Sequence, residues 1–228
     1  MKHHIKQESC AAEAVVFDGN MLLAKAPGIY RIVLKRIFDV AVVLFLAPTA
    51  LAIILICAAI IAMDGHNPFY SQMRIGRGGR RFRMWKLRSM KVNSGALFRK
   101  HLAENPKAKR EWTLNQKLTN DPRITKIGAL IRKCSIDELP QLFNVLTGSM
   151  SLVGPRPMME DQRSLYHGRG YFKLRPGLTG YWQISDRHTS EFTDRVFYDE
   201  KYNRELSFLV DMRILVKTIG VVFRCTGV

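Results

Sequence analysis

Apolar and polar positions follow three different periods along the chain. From Val40 to Met63 run 24 residues without a charge, interrupted only by Pro48 and Thr49. A straight helix of that length measures about 36 Å, enough to cross a hydrocarbon layer of about 30 Å. A core helix of a soluble protein would need apolar cover on every side, so the run predicts a membrane segment. Pro48 removes a helical hydrogen bond and clashes with the preceding turn, which predicts a break in that membrane helix. Further on, PFYSQMRIG and RFRMWKLRSM flank Arg77-Gly78-Gly79-Arg80, the pattern of a β-hairpin with a glycine turn. Strand alternation then puts Lys86 and Arg88 on one face. Ala96 to Gln116 reads as a polar helical excursion interrupted at Pro106, ITKIGALIRK has helical spacing, and a helix is expected from about Ser135 to Leu146, closed by Gly148. Phe208, Leu209, Met212, Leu215, Val216, Ile219, Val222 and Phe223 form one helical stripe with Asp211, Arg213, Lys217 and Arg224 around it. That amphipathic helix suits either packing on a core or lying in a membrane interface.

Charge sharpens the membrane reading. The 228 residues hold 36 Lys plus Arg against 19 Asp plus Glu, a formal charge of +17. With 47% hydrophobic residues the chain is neither disordered nor fibrous, and its basicity suits polyanionic partners. Lys25, Arg31, Lys35 and Arg36 precede the apolar run; from Gly65 to Ala103 follow ten Lys or Arg and no acid. Positive flanks belong in the cytoplasm, and both ends are positive. A re-entrant hairpin reconciles charge with kink; a single span is the competing topology. Either leaves residues 65–228 in the cytoplasm. The expected division is a tail over 1–32, the re-entrant membrane helix over 33–64 and a cytoplasmic domain over 65–228. Met1 to Asn20 is not a cleavable signal peptide. Cys10, Cys57, Cys134 and Cys225 make no CxxC and read as reduced cytoplasmic thiols, and the Cys225 end lacks a prenylation box.

The candidate chemistry centres on Ser135-Ile136-Asp137-Glu138-Leu139-Pro140-Gln141-Leu142. Ser135 with Glu138 matches a capping box, the bland explanation. Asp137 in the first turn of a helix would have its anion favoured by the macrodipole, which suits a nucleophile or a metal ligand. Val153-Gly154-Pro155-Arg156-Pro157 and Arg175-Pro176-Gly177-Leu178-Thr179-Gly180 are rigid turns presenting arginine, the side chain that bonds phosphate oxygens bidentately.

KLRSM (Lys86 to Met90), DPRITKIG (Asp121 to Gly128), SIDELPQLFNVLTGSMSLVGPRP (Ser135 to Pro157) and RPGLTGYWQIS (Arg175 to Ser185) together resemble the bacterial sugar transferases, the monotopic phosphoglycosyl transferases. The resemblance covers about residues 33 to 225 and is strongest to the short form, similar to undecaprenyl-phosphate galactose phosphotransferases of exopolysaccharide synthesis. It implies an α-rich α/β fold: a re-entrant membrane helix hairpin, a small β-hairpin and a cytoplasmic catalytic domain with amphipathic interfacial helices. It also implies transfer of a hexose 1-phosphate from UDP-galactose or UDP-glucose to undecaprenyl phosphate at the cytoplasmic face of a bacterial inner membrane. Asp137 would be the nucleophile, expelling UMP, and Glu138 would assist and hold Mg²⁺ or Mn²⁺ together with Asp211. Lys86, Arg88, Arg156 and Arg187 would bind substrate phosphates. Self-association is left open.

Two departures stand out. Ser185-Asp186-Arg187-His188 replaces a stretch that often reads Asn-Gly-Arg-Asn, placing an acid beside the proposed phosphate-binding arginine. Ala47 precedes Pro48 where the family often has serine, so a hydrogen bond that would relieve the broken backbone is missing. The rival reading is a membrane-anchored binder of nucleic acid or anionic lipid without catalysis, since Arg77 to Lys86 mixes cations with aromatics. Such a binder has no use for an acidic pair, and nucleic acid is not expected as a partner. A glycosidase built on Asp137 and Glu138 fails because helix neighbours diverge rather than flank a bond.

Overall fold

The computed structural model describes residues 28–116, 118–185 and 192–223. Arg187, Asp186, His188, Arg224, Cys10, Cys225 and most of the expected tail lie outside the described residues. A π-turn over Tyr30–Leu34 leads into α1 (Lys35–Ala62), 28 residues long. Tyr30 to Ala62 is long and apolar enough to cross a membrane, and only 11% of its most apolar window is buried. That exposure separates it from a core helix. Pro48 sits inside α1, so the segment is one long helix rather than two helices joined by a turn. Breaking it would free carbonyls in apolar surroundings, where an unpaired backbone group costs several kcal/mol, on the order of the loss at the proline itself.

Both halves of α1 pack on the rest of the chain. Val43 and Ala50 join the main core of Met84, Leu142, Val145, Leu152, Tyr202 and Ile214, whereas Ala58 and Ile61 join Leu87 and Ile131. Hydrogen bonds repeat the pattern. Near the first end, Asp39 accepts from Ser151 Oγ at 2.7 Å and Leu152 N at 3.2 Å, and Arg36 donates to the carbonyls of Val145 and Leu146. At the other end, Arg88 donates to the Ile61 carbonyl at 3.2 Å and pairs with Asp64 at 2.6 Å.

Strands β1 (Phe69–Ile75) and β2 (Arg81–Leu87) form the expected antiparallel hairpin, with Phe69 opposite Leu87 and Ile75 opposite Arg81. Gly78 and Gly79 take positive φ in its turn, where a side chain would be strained. The polar excursion is α2 (Ser94–Glu104) and α3 (Pro106–Asn115). Pro106 starts the second helix instead of breaking one, and Asn105 caps it by accepting from Ala108 N. Helix α4 (Lys126–Lys133) is capped by Thr125, whose hydroxyl accepts from Gly128 N at 2.8 Å. The continuous helix expected from Ser135 is a 3-10 turn over Ile136–Glu138 followed by α5 (Gln141–Leu146), with Gly148 at φ 82° after its end.

The GPRP and RPGLTG motifs meet as a parallel ribbon, β3 (Ser151–Val153) against β4 (Gly177–Thr179), with α6 (Gly170–Lys173) between them in sequence. Their glycines explain the closeness of the two backbones. A Cβ on Gly177 would lie 2.1 Å from Gly154 N, and one on Gly154 would lie 2.4 Å from the Arg175 carbonyl. Helices α7 (Tyr181–Ile184), α8 (Arg195–Glu205) and α9 (Phe208–Phe223) complete the fold. On α9 the buried face is Asp211 and Ile214, with Val210 and Leu215 beside it; Leu209, Val216 and Ile219 are exposed. The apolar stripe read from the sequence therefore points largely away from the core, and Arg213 and Lys217 are exposed beside it. That arrangement favours the interfacial reading of this helix.

Candidate active site

Three elements bring the acidic pair and its cations together. The chain leaves α4 through Cys134 and enters the 3-10 turn with Ser135 at φ 56°, the left-handed region. Ser135 makes no side-chain capping bond, so the capping-box explanation of the motif is overturned. The tight turn buries Asp137 to 4% exposure and leaves Glu138 beside it at the cleft. From β2, Lys86 Nζ reaches Glu138 Oε1 at 2.7 Å and Asp137 Oδ2 at 3.7 Å. From the end of β3, Arg156 Nη2 stands 3.6 Å from Glu138 Oε1.

Asn144 fixes the strand that carries Lys86. Its side chain accepts from Trp85 N at 3.0 Å and donates to the Arg83 carbonyl at 2.7 Å, so α5 grips β2 as an adjacent strand would. Burial raises the Asp137 carboxyl above the usual range; Lys86 opposes that rise, Glu138 adds to it, and Arg132 and Arg156 also oppose it. The result is a desolvated carboxylate beside an ammonium group, a combination that suits a nucleophile.

Beyond Arg156 the site gains cations that sequence reasoning missed. Arg74 is largely buried, and burial first and Arg156 second push its guanidinium down to about 10. Arg195 is pushed down to about 9 by the same two causes. Its guanidinium lies 4.2 Å from the centre of the Trp182 ring, which Arg156 also approaches, at 5.8 Å. Among the described residues, the Nε atoms of Arg74 and Arg195 and both amide atoms of Gln183 are buried without a hydrogen-bond partner. Three mutually repelling arginines, two of them with an unpaired Nε, are a place for oxyanions. Behind them, Asp199 accepts from Tyr166 Oη at 2.9 Å, and burial pushes its carboxyl up to about 7. No local periodicity marks Arg74 or Arg195; only their burial does.

Two expected site residues stand elsewhere. Arg88 follows the end of β2 and turns to the end of α1, where it bonds Asp64, Asn67 and Ile61 and holds the Asp64 carboxyl down to about 2. Asp211 is fully buried, with its oxygens taken by Lys35 Nζ at 2.6 Å, Tyr30 Oη at 2.7 Å and Tyr202 Oη at 2.7 Å. Engaged by those donors, it ties α9 to the foot of α1, and none of the three lines the cleft of Lys86 and Glu138. Arg175 donates through Nε to the Gly148 carbonyl, outside the cleft that Arg156 lines. Among the described residues no three His, Cys, Asp or Glu side chains cluster as a metal site. The Asp137–Glu138 pair still fits Mg²⁺, which takes one or two protein carboxylates and completes its shell with water and substrate phosphates.

The profile of the family described as "Bacterial sugar transferase" matches residues 30–225, nearly the whole described structure. The chain belongs to the bacterial sugar transferase family. Among curated relatives it is 45% identical over 196 residues to the UDP-galactose-lipid carrier transferase of Erwinia amylovora, covering 85% of this chain and 41% of that protein. It is 43% identical over 199 residues to the exopolysaccharide production protein ExoY of Rhizobium meliloti, covering 85% of this chain and 87% of that protein. It is 42% identical over 196 residues to the undecaprenyl-phosphate galactose phosphotransferase of Salmonella typhimurium, covering 41% of the latter. The chain thus spans about two fifths of the length of the longer sugar transferases and most of the shorter one. The acidic turn, the β3–β4 ribbon and α1 all fall inside the matched region.

Proposed function

We propose that this chain transfers a hexose 1-phosphate, galactose or glucose, from its UDP carrier to undecaprenyl phosphate through an intermediate on Asp137. An oxygen of Asp137 attacks the phosphorus that bears the hexose. The bond from that phosphorus to the bridging oxygen breaks, and UMP leaves with the electron pair. A phosphate oxygen of undecaprenyl phosphate then attacks the same phosphorus, and the Asp137 carboxylate departs unchanged. Lys86, held by Glu138, favours the ionised form of Asp137 and faces the developing charge; Arg156, Arg74 and Arg195 take the phosphate oxygens. A Mg²⁺ or Mn²⁺ held by Asp137 and Glu138 would supply neutralisation of the diphosphate. The observation that carries the reading is the buried Asp137 carboxylate beside Lys86, near Arg74 and Arg195, whose Nε atoms are buried without a partner.

The test uses purified full-length chain in detergent, with UDP-galactose or UDP-glucose, Mg²⁺ and undecaprenyl phosphate, following UMP. Asp137→Asn should lower UMP release at least about 10³-fold and abolish the hexose-phosphate mass adduct formed without acceptor. UMP release at the unmodified rate by that variant would overturn the assignment.

We also propose that α1, bent at Pro48 while staying helical, enters and leaves by the cytoplasmic face. The support is that residues near both of its ends, Arg36 and Asp39 at one and Ile61 and Asp64 at the other, are bonded to the same domain. Cysteines placed singly at Gly28 and His66 in a cysteine-free background should both be shielded from an impermeant thiol reagent in intact cells. Labelling of Gly28→Cys alone would restore the single span.

A further inference from the structure

A second cleft uses the β3–β4 region but shares no lining residue with the first. It is walled by Ser151, Val153 and Tyr202 and by five cations: Arg31, Lys35, Arg77, Lys173 and Arg175. They come from five places: the turn before α1, α1 itself, the hairpin turn, the end of α6 and the loop into β4. Among the described residues only Lys35 pairs with a carboxylate, that of Asp211, which Tyr30 and Tyr202 also saturate. Of the others, Arg31 and Arg175 are positioned by uncharged partners. Arg31 donates to the backbone carbonyl and side-chain oxygen of Asn203, and Arg175 to the Gly148 carbonyl. Burial first, then Arg36 and Arg77 close by, lowers the Arg175 guanidinium, with Asp39 opposing; an anion in the cleft would offset the like charge.

Size and place narrow the ligand. The cavity holds about 60 Å³, space for about four to six water-sized groups. A phosphate fits that space. Arg31 and Lys35 stand where the apolar helix begins, and Ile29, Ile32, Val33 and Leu34 around them are exposed. Cations at that level meet headgroups, and a rigid guanidinium fork matches phosphate oxygens.

We propose that this cleft is a phosphate site at the foot of α1 that takes the headgroup phosphate of an anionic membrane lipid, apart from the transfer site. It rests on the membrane reading of α1 and not on the aspartyl chemistry. The test is thermal melting of the full chain in neutral detergent, titrated with phosphatidylglycerol, phosphatidylcholine or inorganic phosphate. Phosphatidylglycerol should raise Tm saturably, phosphatidylcholine should not, and inorganic phosphate should act only at far higher concentration. The double variant Arg77→Gln/Lys173→Gln, both exposed positions, should weaken the phosphatidylglycerol midpoint about ten- to thirtyfold. Lys107→Gln/Lys109→Gln, the same charge change on α3, should not.

Equal response to the two lipids, or an equal effect of the two double variants, would overturn the proposal. Saturation by inorganic phosphate without preference for the lipid would overturn the lipid source. Should the first double variant not fold, displacement of phosphatidylglycerol from the unmodified chain by inorganic phosphate supports the site, and no displacement at any concentration overturns it. UMP release is scored separately, so lipid selectivity without UMP release defeats only the transfer reading, and the reverse defeats only this one.

Discussion

The two clefts that border the β3–β4 ribbon are built from the same kinds of residue and differ in one respect, the presence of acid. In the first cleft Lys86 and Arg156 stand against Asp137 and Glu138. In the cleft of Arg31, Arg77, Lys173 and Arg175 those four have no carboxylate partner among the described residues. One motif pair serves both, since Arg156 and Arg175 flank the paired segments and line different cavities. The difference teaches what each cleft can do. A matched site can hold a nucleophile and arrange charge around it, whereas an unmatched site can only bind an anion.

The ribbon is where that comparison breaks most completely. Gly177→Ala would push a Cβ to 2.1 Å from Gly154 N, and the backbone there has nowhere to move without opening both clefts. A loss of about 3 kcal/mol or more is expected, read as a large fall in Tm and in the yield of folded protein. Retention of the unmodified Tm would mean that the two backbones are not in contact.

A smaller change separates the clefts. Lys86→Gln removes the cation that most opposes the rise of the Asp137 carboxyl. Activity that needs the carboxylate is lost as pH falls through its pKa, so the acid limb of the pH–rate profile should move to higher pH. The maximal rate should fall about 10²-fold, with melting little altered. An unshifted acid limb would show that Lys86 does not tune Asp137.

Elements held by local rules were legible from the chain alone. The hairpin, the division at Pro106 and the amphipathic α9 all follow from periodicity, turn glycines and a helix-starting proline. The acidic pair was legible through its motif, although the local signature attached to it was misleading. Ser135 and Glu138 have the letters of a capping box, yet the left-handed backbone at Ser135 is set by how α4 runs into the turn. Asp211 was beyond such rules because its partners Lys35 and Tyr30 lie 176 and 181 residues away. Arg88 was misplaced for a related reason: alternation fixes a face only inside a strand, and β2 ends at Leu87. Arg74, Arg195 and Gln183 owe their character to burial, which single-residue patterns do not encode.

The way α1 is bolted to the remainder has a practical corollary for anyone wishing to handle this protein in plain buffer. Cutting away the greasy rod would strip Val43 and Ala50 out of the main core and leave Asp211 without the ammonium of Lys35. Ser151 would lose Asp39, and the last carbonyls of α5 would lose Arg36. The remainder would still display Leu209, Val216 and Ile219 along α9. Solubility is better sought by choosing the amphiphile that surrounds the whole molecule than by shortening the chain.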